Sequence, residues 1–346
     1  MMETRGVHSM LVTHLANIRY LTGFTGSAGI VLVRPREGTL WVDPRYTLQA
    51  REQADGVEVV VGKTGILKGA ASWIRKKGLR EANFEAAHLT CAQFDQLRKE
   101  TKESLQLKPA GDLIEELRVV KDPGEIEAIR GAGRVTSEVF SELLPQVRPG
   151  ATEKDLAAEV EYRMRKKGAD GVAFETIVAS GTRSAYPHAR PSSKALQESE
   201  LVIFDLGAIL AGYAADMTRT IYLGEPTRRV RNLHSAVLKA QAGAIRSVQD
   251  GTSAGDVDAV ARRTLKTQRL ARFFTHSTGH GVGLEIHERP RLGKGETACL
   301  RTGSVVTVEP GVYLEGFGGI RIEDTVLVGP NGPEILTPAS KENWIV

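Results

Sequence analysis

Four stretches of the 346-residue sequence set an acid or a histidine among residues that read as buried strand. LVIFDLGAILAGYAADMTRTIYL, from Leu201 to Leu223, carries Asp205 and Asp216. GHGVGLEIHE offers His280 and His287, VTVEPGVYL carries Glu309, and GIRIEDTVLV carries Glu323. An unpaired buried carboxylate is costly. Either aspartate alone reads equally well as a turn or cap residue. Together they flank a tight turn at Gly212 on partner strands, where two carboxylates repel unless one protonates or a cation lies between them. The glycines on both sides of His280 read as room for a ligand to approach. Period-2 alternation sends Arg321, Glu323 and Thr325 to one face and Ile320, Ile322 and Val326 to the other. Four acids and one histidine suit a hard-to-borderline divalent ion such as Mn, Co or Zn. Four carboxylates exceed what one small cation needs, so two metals sharing a water fit the charge better.

The elements that must position these residues fall into two parts. Up to about residue 118, strand signals (HSMLVTH, GIVLV, TLWVDPRY, EVVVG) alternate with helices through TLQAREQA and KGAASWIRKKG, an α/β pattern. Asp122-Pro123-Gly124-Glu125 then reads as a helix start, with Asp122 as cap, Pro123 at the first helical position and Glu125 completing a capping box. The predicted division is therefore 1–118 and 119–346. The second part is α+β: helices at TEKDLAAEVEYRMRKKG, VRNLHSAVLKAQAGAIRSVQ and SAGDVDAVARRTLKTQ, strands at FETIVASG, LVIFDLGA and YAADMTRTIYL, and strand-like stretches with glycine breaks at FFTHSTGHGVGLEIHE, SVVTVEPGVYL and GIRIEDTVLV. This predicts an antiparallel sheet covered by helices, with a faint repetition of helix-helix-strand material.

Composition narrows the function classes. The formal charge of +4 is spread along the chain without a basic run, which argues against nucleic acid. The two cysteines, Cys91 and Cys299, have no metal-like spacing, so a reducing cytoplasm is expected. The start of the chain shows no apolar leader and no segment nears the roughly 20 apolar residues that span a membrane. No HExxH and no strand–GxGxxG–helix unit occurs.

Taken in order, IVASGTRSAYPHA, DLGAILAGYAADMTRT, HSTGHGVGLEIHERP, VTVEPGVY and GIRIEDT resemble the proline-specific metallopeptidases, aminopeptidase P and prolidase (Xaa-Pro dipeptidase). NIRYLTGFTGSAG and VDPRYTLQA resemble that family's N-terminal domain, so the resemblance covers nearly the whole chain. It implies a pita-bread catalytic domain at 119–346, preceded by a smaller creatinase/prolidase-type α/β domain at 1–118. The family usually has a helix before its first strand, for which about seven residues are available here.

The resemblance also implies roles. Asp205, Asp216, His280, Glu309 and Glu323 fall on the family's ligands for two divalent ions, with manganese first and cobalt or zinc as alternatives. A water bridging the two ions is the implied nucleophile, and Glu309 its acid/base partner. His188 and His287 fall on histidines that contact the scissile carbonyl, although each alone reads as structural. His276 resembles a subsite histidine. Arg321 resembles an arginine that braces the site or meets substrate, and Tyr313 a residue that orders the surroundings. The implied substrates are dipeptides or short peptides with proline at the second position. Their imide nitrogen has no N–H for a general peptidase to grip. A homodimer is implied, since a neighbouring N-terminal domain helps close the family's site. Methionine aminopeptidase usually lacks the first domain, and creatinase lacks the full ligand set. The alternative of another class is a non-catalytic peptide-binding module on the same fold, which an intact ligand set disfavours.

Overall fold

The structure, a computed structural model, describes residues 2–62 and 64–346. Two compact units divide the chain, Met1–Leu117 and Arg118–Val346.

In the first unit a single 3-10 turn, Glu3–Arg5, precedes the first strand. The elements then run β1 (Met10–Val12), α1 (Leu15–Thr22), β2 (Gly29–Arg34), β3 (Glu37–Val42), α2 (Thr47–Gln53), β4 (Glu58–Val61), α3 (Ile66–Lys76), β5 (Glu81–Glu85), α4 (Cys91–Glu100), β6 (Gln106–Ala110) and α5 (Leu113–Arg118). The strands form one mixed sheet in the order β4-β3-β2-β1-β5-β6. Alternation along β3 sends Trp41 to one face with Leu11, Leu32 and Ile74. Leu40 and Val42 go to the other face with Val12, Val31 and Phe24. Both faces are thus covered, as mixed α/β sheets require.

The second unit opens with α6 (Pro123–Leu143), and the predicted capping box is present in full: the Asp122 side chain accepts from Glu125 N–H, and the Glu125 side chain from Asp122 N–H. α7 (Glu153–Lys166) follows, capped by Thr152. Next come β7 (Gly171–Val172), β8 (Ile177–Ser180), β9 (Leu201–Leu206), β10 (Ala208–Leu210), β11 (Tyr213–Ala214) and β12 (Met217–Tyr222). A second helix pair, α8 (Arg228–Arg246) and α9 (Ala254–Thr267), leads to β13 (Gly279–Gly281), β14 (Glu288–Leu292), β15 (Val305–Val308), β16 (Gly311–Leu314), β17 (Gly318–Arg321), β18 (Asp324–Gly329) and β19 (Gly332–Ile335). Every strand ladder in this unit is antiparallel. Among the described residues no helix is long and apolar enough to cross a membrane.

The faint repetition in the sequence has a structural counterpart. Each helix pair precedes a long two-armed ribbon that is interrupted midway. In the first, β9 pairs with β12 and β10 with β11, and the arms break at Gly207 and at Ala215-Asp216. In the second, β15 pairs with β18 and β16 with β17, and the arms break at Glu309-Pro310 and Ile322-Glu323. YAADMTRTIYL is therefore two strands, β11 and β12, and SVVTVEPGVYL and GIRIEDTVLV part at Glu309-Pro310 and Ile322-Glu323 rather than at a glycine. A Cβ at Gly207 would lie 2.0 Å from the Ala215 carbonyl oxygen, so the first break needs glycine. Pro310 has no N–H to give the ladder at the second. FETIVASG likewise pairs only over Ile177–Ser180.

Helix α6 lies close against the segment after β19. A Cβ on Gly133 would stand 2.1 Å from the Leu336 carbonyl oxygen. Replacing a helical glycine by alanine normally gains about 1 kcal/mol. Here the clash with main chain outweighs that, since overpacking costs about 1–3 kcal/mol. Gly133→Ala is therefore expected to lower the urea midpoint of the second unit, and an unchanged or raised midpoint would contradict this packing.

Candidate metal centre

The five candidate ligands, together with His188, His276, His287 and Arg321, line one cleft of about 620 Å³ in the second unit. That volume suits a small ligand. Asp205 lies within β9, opposite Thr218 of β12. The other three acids lie at the ribbon breaks. There the backbone leaves the ladder, and the bonds that would have gone to a partner strand go elsewhere. Asp216 N–H donates to Thr325 Oγ1 at 3.0 Å, Glu309 N–H to the Thr278 carbonyl at 2.8 Å and Glu323 N–H to the Thr218 carbonyl at 3.1 Å. Interrupting a ladder re-aims side chains that strict alternation would separate. The two broken ribbons thereby turn Asp216, Glu309 and Glu323 into one space.

His280 supplies the fifth group. Its Nδ1 is 3.0 Å from the Gly281 carbonyl. A carbonyl only accepts, so Nδ1 carries the proton and Nε2 presents a lone pair. That lone pair is 3.4 Å from Glu309 Oε1 and 3.6 Å from Asp216 Oδ2. Acceptors thus face acceptors. The flanking glycines do not leave room for a ligand, as the sequence suggested. Cβ atoms there would lie 1.9 Å from the Thr307 oxygen and 2.2 Å from the Arg289 oxygen, so they admit neighbouring backbone instead.

The electrostatics follow from this crowding. Burial, then Asp205 and Glu309, raise Asp216 well above the ordinary aspartate range. Burial, then Asp216 and Glu309, do the same to Glu323. Burial carries Glu309 up to about 8, against the pull of Arg321. Burial takes His280 down to about 4, with His287 adding to the effect. Asp205 Oδ1, Asp216 Oδ1 and Glu323 Oε1 are buried without any hydrogen-bond partner. Asp216, His280 and Glu323 bring ligand atoms within 4.8 Å of one another. Two acids with an orphaned oxygen each and an imidazole lone pair, brought this close together, are the donor set of a divalent cation, and the orphaned oxygen of Asp205 lines the same cleft. Among the described residues, His14, His88 and Glu115 of the first unit form the other such group. Their imidazoles, however, stack 3.7 Å apart and only 3° from parallel. No point lies in both ring planes, where a metal bound to both nitrogens belongs.

Around the acids stands a shell of donors. Arg321 reaches Asp205 Oδ2 at 2.6 Å, Thr218 Oγ1 at 2.9 Å, the Tyr313 hydroxyl at 2.8 Å and the Pro187 carbonyl at 3.1 Å. Of its two sequence-based readings, these contacts favour the brace. Thr218 Oγ1 donates in turn to Glu323 Oε2 at 2.6 Å. Burial raises Tyr313 to about 12, so its hydroxyl keeps its proton and donates a hydrogen bond to His276 Nε2 at 2.9 Å. His276 is held down to about 4 by burial and then Arg321, and its Nδ1 bonds the Ser277 carbonyl. The His287 ring stands 4.3 Å from that of His280, and His287 and His188 both lie exposed on the rim.

Several residues at the cleft escaped the sequence reading. Glu288 lines it and pairs with two buried cations, Arg118 and Lys121. Arg190 and Arg291 also line it. Thr218 and Thr307 hold two of the candidate ligand acids, Glu323 and Glu309. Their signal is a hydroxyl in a strand buried at every position, as in MTRTIY.

Comparison with known proteins agrees with this geometry. Residues 1–120 match the creatinase/prolidase N-terminal domain. The chain is 36% identical to the Xaa-Pro dipeptidase from Bacillus anthracis, with a TM-score of 0.95 over 99% of this chain and 96% of that one. It is 37% identical to the X-Pro aminopeptidase from Thermotoga maritima MSB8, with a TM-score of 0.92 over 99% and 98%. A Xaa-Pro dipeptidase of Pyrococcus horikoshii is 33% identical over 342 residues, 99% of this chain and 95% of its own. Residues 127–330, which contain the whole cleft apart from its surroundings, match metallopeptidase family M24, and the chain with its paired broken ribbons belongs to that family.

Proposed function

We propose that this protein is a metal-dependent exopeptidase that hydrolyses the Xaa-Pro bond at the N-terminus of dipeptides and short peptides. The observation that carries the reading is the approach of ligand atoms of Asp216, His280 and Glu323 to within 4.8 Å of one another, with a buried orphaned oxygen on each of the two acids. The names of its relatives, Xaa-Pro dipeptidase and X-Pro aminopeptidase, support the substrate class.

In this reading Asp205, Asp216, His280, Glu309 and Glu323 would hold two divalent ions, manganese first, with cobalt or zinc as alternatives. When bound, such ions supply Lewis acidity and lower the pKa of a water towards about 7. The chain's own residues do the rest. Glu309 takes a proton from the attacking water and delivers it to the departing proline nitrogen. His287 and His188, facing the same cleft, donate hydrogen bonds to the scissile carbonyl oxygen as it gains charge. Arg321 fixes Asp205, and through Thr218 it fixes Glu323. His276 orders the wall behind Glu309. We place the enzyme in the cytoplasm as a homodimer, with 119–346 as the catalytic domain. Light scattering of the purified protein is expected to give twice the chain mass, and a fully active monomer would count against the dimer.

Two further measurements test the reading. After chelator treatment, cleavage of an Xaa-Pro dipeptide and of an Xaa-Pro-Yaa tripeptide is expected to disappear and to return with manganese or cobalt. Activity on the dipeptide alone defines a dipeptidase and activity on both an aminopeptidase, while metal-dependent cleavage of neither would sink the proposal.

The second is the pH dependence of the metal-free protein. Glu309, Asp216 and Glu323 hold protons in the fold that the unfolded chain releases near pH 4, so each contributes stability that is lost as pH rises through its folded value. His234, His276 and His280, held near 4 by burial, work the other way, but only below their unfolded value of about 6.5. Between pH 6.5 and 8 the acids act unopposed. The melting temperature of chelated protein should fall across that window, and added manganese should flatten the fall. A flat profile without metal would show that these acids are not crowded as described.

A further inference from the structure

Glu153 stands outside the cleft, in the first turn of α7, and TEKDL reads as an ordinary acid at an exposed helix start. The structure buries it completely, at 0% exposure. Its two oxygens gather both ends of a single loop. Oε1 accepts from Ser180 N–H at 2.8 Å and from Ser180 Oγ at 2.9 Å. Oε2 accepts from Ser192 N–H at 2.9 Å and from Ser192 Oγ at 2.7 Å. Arg183 Nε donates to both, at 3.3 and 3.0 Å. The same helix turn adds two main-chain ties: Glu153 N–H reaches the Lys194 carbonyl and Lys154 N–H the Ser192 carbonyl, each at 3.1 Å.

The loop so closed, 181–192, has the form of a compact surface loop with its ends together. It supplies one wall of the cleft through Pro187, His188, Ala189, Arg190 and Pro191. The tie continues into that wall, because Arg183 Nη2 also donates to the Arg190 carbonyl. At the middle of the loop the Pro187 carbonyl accepts from Arg321, which itself holds Asp205. A carboxylate is the only side chain whose every site accepts, and every neighbour here donates. Burial pushes Glu153 up, but the Ser192 and Ser180 groups outweigh it and keep the acid ionised.

We infer that Glu153 is the positioning residue of this cleft wall: from outside the cleft it sets where His188 stands relative to the ligand acids. The inference deepens the Xaa-Pro peptidase reading and rests on it for the part concerning rate.

The test is Glu153→Gln in the manganese-loaded full chain. An amide keeps the size but turns an N–H₂ towards donors. Amide hydrogen exchange over 186–191 is expected to speed up at least tenfold. The kcat/KM on an Xaa-Pro dipeptide is expected to fall about 10²-fold, the scale of a small misplacement of a reacting geometry. Bound metal should equal that of the unaltered protein. In a His188→Ala background the same change should add less than threefold, because its effect passes through that side chain. If Glu153→Gln does not fold, Ser192→Ala removes a single hydroxyl and carries the same comparison at smaller size. Unchanged exchange over 186–191, or a loss that multiplies in full onto His188→Ala, overturns the proposal. If the unaltered protein cleaves no Xaa-Pro peptide, the function reading has failed, and the exchange measurement still decides whether Glu153 holds the wall.

Discussion

Like charges in a dry place must be separated, protonated or bridged, and the second unit is built around a place where Asp205, Asp216, Glu309 and Glu323 are not separated. Each of the four touches groups that fix its position without removing the conflict. Arg321 meets Asp205 but works against burial to stay charged there, and it is the acids and Tyr313 around it that hold its proton. Thr218 steadies one oxygen of Glu323 and leaves the other with none. A fold optimised for stability alone would fill this space with apolar side chains. That it keeps acids instead is the mark of a binding site, since functional sites are where local rules are broken.

The conflict can be arranged because the two ribbons are interrupted. A continuous antiparallel pair offers side chains only at fixed intervals on two faces. Breaking both arms of each ribbon gives three acids new directions while the arms on either side stay paired. The flanking arms are buried almost throughout, with Val308, Val312, Ile320 and Val326 in one apolar cluster with α8 and α9. Rigid strands therefore end one or two residues from the groups that must be held in place, which is a more exact support than a free loop.

Much of this was legible in the sequence, and what was not has a physical reason. The acids stood out because each interrupts an apolar run, and Asp122-Pro123-Gly124-Glu125 because capping chemistry is local. Periodicity read through the breaks, because nothing within a single strand reports that its partner has parted from it. Gly207 and Pro310 were the local hints. The glycines around His280 were legible as glycines but not in purpose, since their neighbours Thr307 and Arg289 come from elsewhere in the chain. The first unit's helix α1 is eight residues long, too short to display a stripe. Glu153 was hidden most thoroughly, because a helix-start acid that faces water and one that faces inward look alike until the partners from Ser180 and Ser192 are in place.

The bonds from Arg321 through Tyr313 and His276 to the Ser277 carbonyl have a direction as well as lengths. A guanidinium only donates and a carbonyl only accepts, so the hydroxyl and the ring between them have no choice of orientation. Such a chain behaves as a rectifier: reversing it would require Arg321 to give up a proton, which guanidinium does not do in proteins. It therefore conveys alignment and conducts no protons, which sets it apart from Glu309, His287 and His188, which line the cleft.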